Sequence, residues 1–435
     1  MTRFKWTNSS VIKFAQGKDP VEAMEFRARN LALQAIDDGW SGPPFDPLAL
    51  AERLSMSAEA RSDIPDARTV PVSNGAFVLE YNPLRPRGRL RFSIAHEIAH
   101  TLFPDCAESI RNRGGKKQSA SDEWQLEVLC NLGAAELLMP LGSFSQLAGE
   151  TLTIRNVLEL RKEFDVSVEA CLIRLVKLSR IQTAAFCASM HNDGRYRVDY
   201  IIPSGGWESA VEVGQVIPAD SVVKDVTAIG FTAIANETWG RGAALHVECV
   251  GLAPYPGTLN PRVVGLLVPQ TPLSFQSRDV KELDGDALTP RGVGKRIIAH
   301  VIPDSLAMWG GGGFASQVRR RFPHVWQEYR SELGRSGQAP TLGKSFVGKL
   351  DDDTLIVHMV AQRGIGASHT QRLRYAALAE CLAEVRNLAG TYGASVHMPR
   401  IGTGHGGANW EIVRELIVGE LVDKGVETTI YQRPN

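Results

Sequence analysis

The hydrophobic positions of this chain change period along its length. Over residues 20–37, Val21, Met24, Phe26, Ala28, Leu31, Leu33 and Ile36 recur at helical spacing and stop at Asp37-Asp38-Gly39, which predicts an amphipathic helix. Pro44, Phe45 and Pro47 break the pattern, and Leu48 to Leu54 resumes it briefly. Gly75 to Pro83 reads as a strand and turn. Ile94, Ala95, Ile98 and Ala99 mark the inward face of a helix, with Ser93 as its N-cap and Pro104 ending the run. A second helix follows over 121–138, carrying Leu126, Cys130, Ala134 and Leu138 at helical spacing; small Ala134 and Ala135 allow a neighbouring helix to approach closely. Two shorter helical patterns flank Asp165-Val166-Ser167.

From about Thr183 to Pro272 the texture becomes short β-rich runs, at 184–187, 196–202, 244–250 and 263–268, separated by Gly, Pro and Asn/Asp clusters. After Pro272, near-continuous apolar runs at 296–302, 354–360, 394–398 and 427–431 alternate with helical stretches. Such runs suit a mostly parallel sheet covered on both faces, which binds ligands beyond its strand C-termini. The expected fold class is multidomain α+β and α/β. A mainly helical domain covers 1–182, a β-rich connecting or sensory module 183–272, and an α/β domain 273–435.

Composition narrows the picture in two ways. Acidic and basic residues balance at 48 each over 435 residues, so no overall field draws the chain to nucleic acid or membrane. The six cysteines include no Cys-x-x-Cys pair and read as reduced thiols; there is no long apolar run and no signal-peptide pattern, so the expected location is cytoplasmic.

The chemistry lies first in His96-Glu97-Ile98-Ala99-His100. Two histidines four apart on a helix project from one face and can share a Zn²⁺, with Glu97 beside them to take a proton from activated water. A catalytic zinc uses three protein ligands and an open position, so a third ligand is expected from a nearby helix. Glu127 fits, with Glu123 and Glu136 as rivals, and Asn131 one turn beyond Glu127 could hold a ligand side chain in place. The basic segment Arg111 to Lys117 between the two helices reads as a solvated connection.

The run Arg91-Phe92-Ser93-Ile94-Ala95-His96-Glu97-Ile98-Ala99-His100, followed by Glu127-x-x-Cys130-Asn131 and Ala134-Ala135-Glu136-Leu137-Leu138-Met139-Pro140, resembles the ImmA/IrrE family of metallopeptidases. Cysteine stands where alanine is usual before Asn131. The resemblance implies a zincin-like domain with zinc as cofactor, His96, His100 and Glu127 as metal ligands, and Glu97 as general base. It also implies a helix-turn-helix repressor as the protein substrate. The helical patterns around Asp165 resemble that family's helix-turn-helix-like tail, for which packing is favoured over direct DNA binding.

Two glycine-rich segments fall where a phosphate site is expected. Trp309-Gly310-Gly311-Gly312-Gly313-Phe314 leads into a helix, and Gly402-Thr403-Gly404-His405-Gly406-Gly407 follows a strand and precedes another. Backbone N–H groups at such loops suit a diphosphate. Gly343-Lys344-Ser345 is no P-loop, because Gly337 precedes it by one intervening residue too many. Together with Leu283-Asp284-Gly285-Asp286-Ala287-Leu288 and Pro399-Arg400-Ile401, the glycine segments resemble a macrodomain, of the branch that includes DNA- and glutamate-linked ADP-ribose hydrolases.

That resemblance implies a three-layer α/β/α fold and ADP-ribose or a related nucleotide as ligand. Asp286 is expected to receive the adenine amino group, with Gly310, Gly311, Gly312, Gly313 and Phe314 and then Gly402, Thr403, Gly404, His405 and Gly406 around the diphosphate and distal ribose. Hydrolases of the branch use a lysine after the central strand, and some add an acidic residue in the last loop; Gln362 and Gly406 stand nearest those positions, which favours a reader over a hydrolase. The combined expectation is a zinc endopeptidase that cuts a regulatory protein and is controlled by or targeted through the nucleotide. The alternatives are a non-proteolytic ADP-ribose-binding signalling protein, or an ADP-ribosyl hydrolase with an accessory peptidase domain.

Overall fold

The computed structural model describes residues 6–72, 76–108, 122–144, 151–204, 207, 211–240, 242–255, 259–270, 280–305, 313–366, 368–402, 404 and 406–432. Gly75, Arg111 to Lys117, Trp309 to Gly312, Thr403 and His405, all named above, lie outside these residues. Among the described residues no helix is long and apolar enough to cross a membrane. The chain forms two compact units; the first comprises Met1–Ala28, Ser41–Met139 and Phe144–Ser277, the second Arg29–Trp40, Pro140–Ser143 and Arg278–Asn435.

Helices α1 (Ser9–Ala15), α2 (Pro20–Asp37) and α3 (Pro47–Arg53) precede a three-stranded sheet of β1 (Ser57–Ala60), β2 (Ala67–Pro71) and β3 (Phe77–Tyr81), with β3 in the middle. Helix α4 (Arg87–His100) carries the first histidine motif and α5 (Glu123–Leu138) the candidate third ligand. Ser93 is not the N-cap of α4. The helix starts at Arg87, after Pro86 in an extended conformation, so Ser93 sits in its interior.

The start of α2 packs into the first unit's core, where Met24 and Ala28 join Phe14, Ala99, Phe103, Leu126 and Cys130. Gly133 is what lets α4 and α5 approach: a Cβ there would stand 2.8 Å from the Ala99 Cβ and 3.0 Å from the Met24 sulfur. Both helices need this proximity to bring their polar side chains to one point.

Helices α6 (Ile154–Phe164) and α7 (Val168–Leu178) are joined through Asp165 in the left-handed region at φ 54°. The Ser167 hydroxyl caps α7 by accepting the Ala170 N–H. Every residue of α7 is buried or half-buried, which is what packing of this helical pair against the rest of the unit requires. The β-rich segment closes as a five-stranded antiparallel sheet in the order β5-β4-β8-β7-β6, from β4 (Ala184–Met190), β5 (Tyr196–Pro203), β6 (Thr232–Trp239), β7 (Ala243–Leu252) and β8 (Arg262–Pro269). Its histidines are structural: His246 meets Asn236 and Glu248, and His191 meets Asp199. All six cysteines are buried free thiols.

The second unit is built on a six-stranded sheet, ordered β11-β12-β10-β13-β14-β9. Its strands are β9 (Lys281–Asp284), β10 (Arg296–Pro303), β11 (Ser345–Lys349), β12 (Thr354–Gln362), β13 (Ser395–Pro399) and β14 (Thr428–Gln432); only β11 pairs antiparallel. Ile298, Ile302, Ile356 and Val360 face α8 (Gly313–Arg321) and α9 (Pro323–Ser336). Val357, from the opposite side of the pleat, lines a groove of about 350 Å³ with Val385 and Leu388 of α10 (Tyr375–Tyr392). Helices thus cover both faces, giving the expected three layers, and α11 (Trp410–Ile417) follows the last glycine segment.

Two histidines lie inside this sheet. His300 and His358 stand opposite each other on β10 and β12, with His300 Nε2 2.6 Å from His358 Nδ1, and both are buried. Burial pushes His300 down to about 3 and His358 well below its ordinary value. Unfolding releases both to titrate normally, so the unfolded chain binds more protons below pH 6.5 and stability falls as pH drops from there, by ~1.4 kcal/mol per histidine per pH unit. A His300→Leu/His358→Leu chain removes both partners together and is expected to flatten this loss between pH 6.5 and 5. Thermal unfolding across that range checks it, and identical slopes for the two proteins would refute the assignment.

Candidate metal centre and glycine loops

Helix geometry places His96 and His100 on one side of α4, and the Gly133 contact brings α5 against it. His96 Nε2 lies 3.1 Å from His100 Nε2 and 3.1 Å from Glu127 Oε2; His100 Nε2 lies 3.7 Å from Glu127 Oε1. Tetrahedral ligands ~2.0–2.1 Å from a zinc ion are ~3.3 Å apart, so the three atoms have the separations a shared cation requires. On His96 the other nitrogen, Nδ1, is 2.9 Å from Asn131 Oδ1. An Nδ1–H donating to Asn131 leaves Nε2 with a lone pair. With both Nε2 atoms deprotonated, their lone pairs and the Glu127 carboxylate would converge on one point, which a cation would satisfy. Burial opposes a charge on His96, but the Glu127 carboxylate outweighs it and holds the imidazole above its ordinary pKa.

The rival carboxylates behave differently. Glu136 is fully committed to a buried, bidentate pair with Arg174 of α7, whose guanidinium also donates to the Met139 carbonyl. Glu123 lies in the first turn of α5, one turn before Glu127. Cys130 is a candidate that spacing did not suggest: its sulfur and the histidine nitrogens lie within 4.8 Å of one another. The Glu127 oxygens reach both histidine nitrogens at 3.1 and 3.7 Å, and the Cys130 side chain belongs to the apolar core between the helices.

Glu97, close enough to His96 and Glu127 to feel their charge, is also held by strand β2. One of its carboxylate oxygens accepts the Thr69 N–H at 2.7 Å, while the Thr69 hydroxyl donates to the Glu97 carbonyl at 3.2 Å. Burial raises the Glu97 pKa above the ordinary carboxylate value, against the opposing pull of His96 and Thr69. Thr69 was not legible as a partner, since Ala67-Arg68-Thr69-Val70-Pro71 has no strong period.

In the second unit the glycine segments leave adjacent parallel strands. β10 ends at Pro303 and β13 at Pro399, and β12 lies on the far side of β10. The order of strand addition therefore reverses at β10, and the crevice beyond its end is where such sheets bind ligands. Gly402 and Gly407 have φ of 80° and 62°, and the Gly406 carbonyl accepts both the Arg372 and Leu373 N–H groups. A Cβ at Gly406 would stand 2.5 Å from the Gly402 carbonyl oxygen. Gly404 lies between these residues, and Gly407 N–H donates to its carbonyl.

Gly313 opens α8, and Phe314 packs its ring 5.4 Å from that of His300. Asp286 is already engaged: one oxygen accepts the Leu288 N–H at 3.0 Å and the other meets Arg321 at 2.6 Å. Arg321 went unnoticed in the sequence because it is brought back to Asp286 from the end of α8. Gln362 ends β12 and donates its amide to the Gly364 carbonyl.

The family model for the IrrE N-terminal-like domain matches residues 50–176, and that for the Macro domain matches residues 304–417. The radiation response metalloprotease IrrE of Deinococcus radiodurans is 27% identical over 187 residues, covering 41% of this chain and 53% of that protein. The DNA ADP-ribosyl glycohydrolase of Mycobacterium bovis is 32% identical over 127 residues, covering 28% of this chain and 34% of that protein. Mouse chromodomain-helicase-DNA-binding protein 1-like is 30% identical over 168 residues, covering 37% of this chain and 18% of that protein. The chain thus spans about half of the IrrE protein and smaller shares of the other two.

The distances rank the third ligands. Glu127→Ala is expected to lower zinc affinity by far more than Cys130→Ser, and Asn131→Ala to lower it by ~10–100-fold. Competition with a chelator measures all three, and a larger loss for Cys130→Ser would give the position to sulfur.

Proposed function

Because the chain joins an IrrE N-terminal-like peptidase domain to a macrodomain, we propose that it is a zinc endopeptidase governed through a nucleotide site. The observation that carries the peptidase reading is the convergence of His96, His100 and Glu127, with ligand atoms 3.1 to 3.7 Å apart and Asn131 orienting His96. Zinc held by these three side chains supplies a Lewis acid that polarises a peptide carbonyl and acidifies water.

The chain's own residues do the rest. Glu97, fixed by the Thr69 N–H and pushed by burial toward a higher pKa, is suited to accept a proton and return it to the leaving amine. The substrate we infer is a regulatory protein, a helix-turn-helix transcriptional repressor.

For the macrodomain we infer binding of ADP-ribose or a related nucleotide at the ends of β10 and β13, with Asp286 taking the adenine amino group once Arg321 yields it. Gln362, where hydrolases of the resembled branch use lysine, favours binding over hydrolysis, since an amide cannot serve as an amine nucleophile. A ligand there governs proteolysis only by binding active and inactive arrangements with different affinity, or by bringing the peptidase to a modified target.

Two outcomes are expected. Glu97→Gln keeps its zinc and stops cleavage of a co-expressed repressor; continued cutting by a metal-replete variant excludes Glu97 as the base. Asp286→Ala weakens ADP-ribose binding in calorimetry, and unchanged affinity removes Asp286 from the adenine site.

A further inference from the structure

The second unit recruits Arg29–Trp40, and one residue of that stretch reaches toward the glycine loops. Helix α10 runs for 18 residues from Tyr375, yet its N-cap position is Arg374, whose side chain supplies no capping hydrogen bond. The cap comes from elsewhere. Asp37 accepts the Tyr375 N–H at 3.0 Å on one carboxylate oxygen and the Ala376 N–H at 3.3 Å on the other. Arg374 Nη1 donates to the Asp37 main-chain carbonyl at 2.6 Å, so both sides of the junction are tied. An anion at a helix N-terminus, bonded to the orphan N–H groups there, is favourable for the reasons that make aspartate a good cap.

The residues so anchored support the last glycine loop. Arg372 and Leu373, immediately before the cap, donate their N–H groups to the Gly406 carbonyl at 2.9 and 3.0 Å. The Leu373 side chain fills the space beside Gly402, where a Cβ would meet it at 2.8 Å. On the far side, the Tyr375 hydroxyl accepts the Asn409 N–H at 2.9 Å, and Asn409 in turn caps α11 at the Glu411 N–H. Gly402, Gly406 and Asn409 are therefore all braced by residues 372–375.

We propose that Asp37 is a positioning residue for nucleotide binding: by capping α10 it fixes the strut on which the glycine loop after β13 rests. The inference depends on the nucleotide reading given above. A loop that offers backbone N–H groups to a diphosphate works only if those groups are held in place before the ligand arrives. Burial also lifts Asp37 to about 6, which marks a carboxylate kept out of solvent for its hydrogen bonds.

The test uses the full chain and calorimetry with ADP-ribose. Asp37→Ala is expected to weaken binding about tenfold, the scale of losing charge-assisted hydrogen bonds. Asp37→Asn, which keeps an acceptor oxygen, recovers part of the loss and guards against a folding defect in the alanine protein. Arg29→Ala serves as the control. It breaks the 2.8 Å pair with Glu420, which also meets Arg386 in the body of α10, so it loosens the recruited stretch without touching the N–H groups that Asp37 caps, and should leave affinity unchanged. Equal affinity for Asp37→Ala and the unaltered chain overturns the proposal, and so does an equal loss in Arg29→Ala, which would reduce Asp37 to general support of the stretch. If the unaltered chain binds no ADP-ribose, the nucleotide reading itself falls, and this proposal with it.

Discussion

Everything at the first site depends on how near two helices come. Gly133 lets α5 lie against Ala99 of α4, and only at that distance do a carboxylate from one helix and two imidazoles from the other meet. A side chain at 133 would overpack the crossing, at a typical cost of ~1–3 kcal/mol, and would also part the donor atoms. Packing and chemistry share one constraint here. The Glu136–Arg174 pair, three residues beyond Gly133, also holds α5 to α7, and losing one partner of a buried pair generally costs ~3–5 kcal/mol.

The second unit solves a different problem. The face we propose for the nucleotide would be made largely of main chain, so the scaffold would have to aim backbone groups rather than side chains. A parallel sheet does this at the strand where its winding reverses, and β10 is that strand. The apolar layer beneath carries His300 and His358, kept neutral by burial and paired with each other. Their hydrogen bond lets two polar rings sit among Ile298, Ile356 and Val360.

Legibility in the sequence followed the range of the interaction. Helix α2 was readable over 20–37 because its apolar spacing is local and strong, and the structure has it at Pro20–Asp37. The strands β10, β12, β13 and β14 were readable because burial on both faces leaves unbroken apolar runs. The start of α4 was misplaced, since a serine before an apolar run is a cap signal only if the preceding turn is not already helical. Strands β2, β6 and β11 lie at sheet edges, and their mixed or short patterns carry little period. Thr69 beside Glu97, Arg321 on Asp286 and Asp37 on α10 are products of tertiary folding, with no local trace to read.

The second unit is assembled from three separated stretches of chain, Arg29–Trp40, Pro140–Ser143 and Arg278–Asn435. Genetic shuffling that moved only the last stretch into another protein would leave behind the aspartate that finishes one of its helices. The C-terminal stretch on its own would carry α10 with the N–H groups of Tyr375 and Ala376 lacking the acceptor that Asp37 provides.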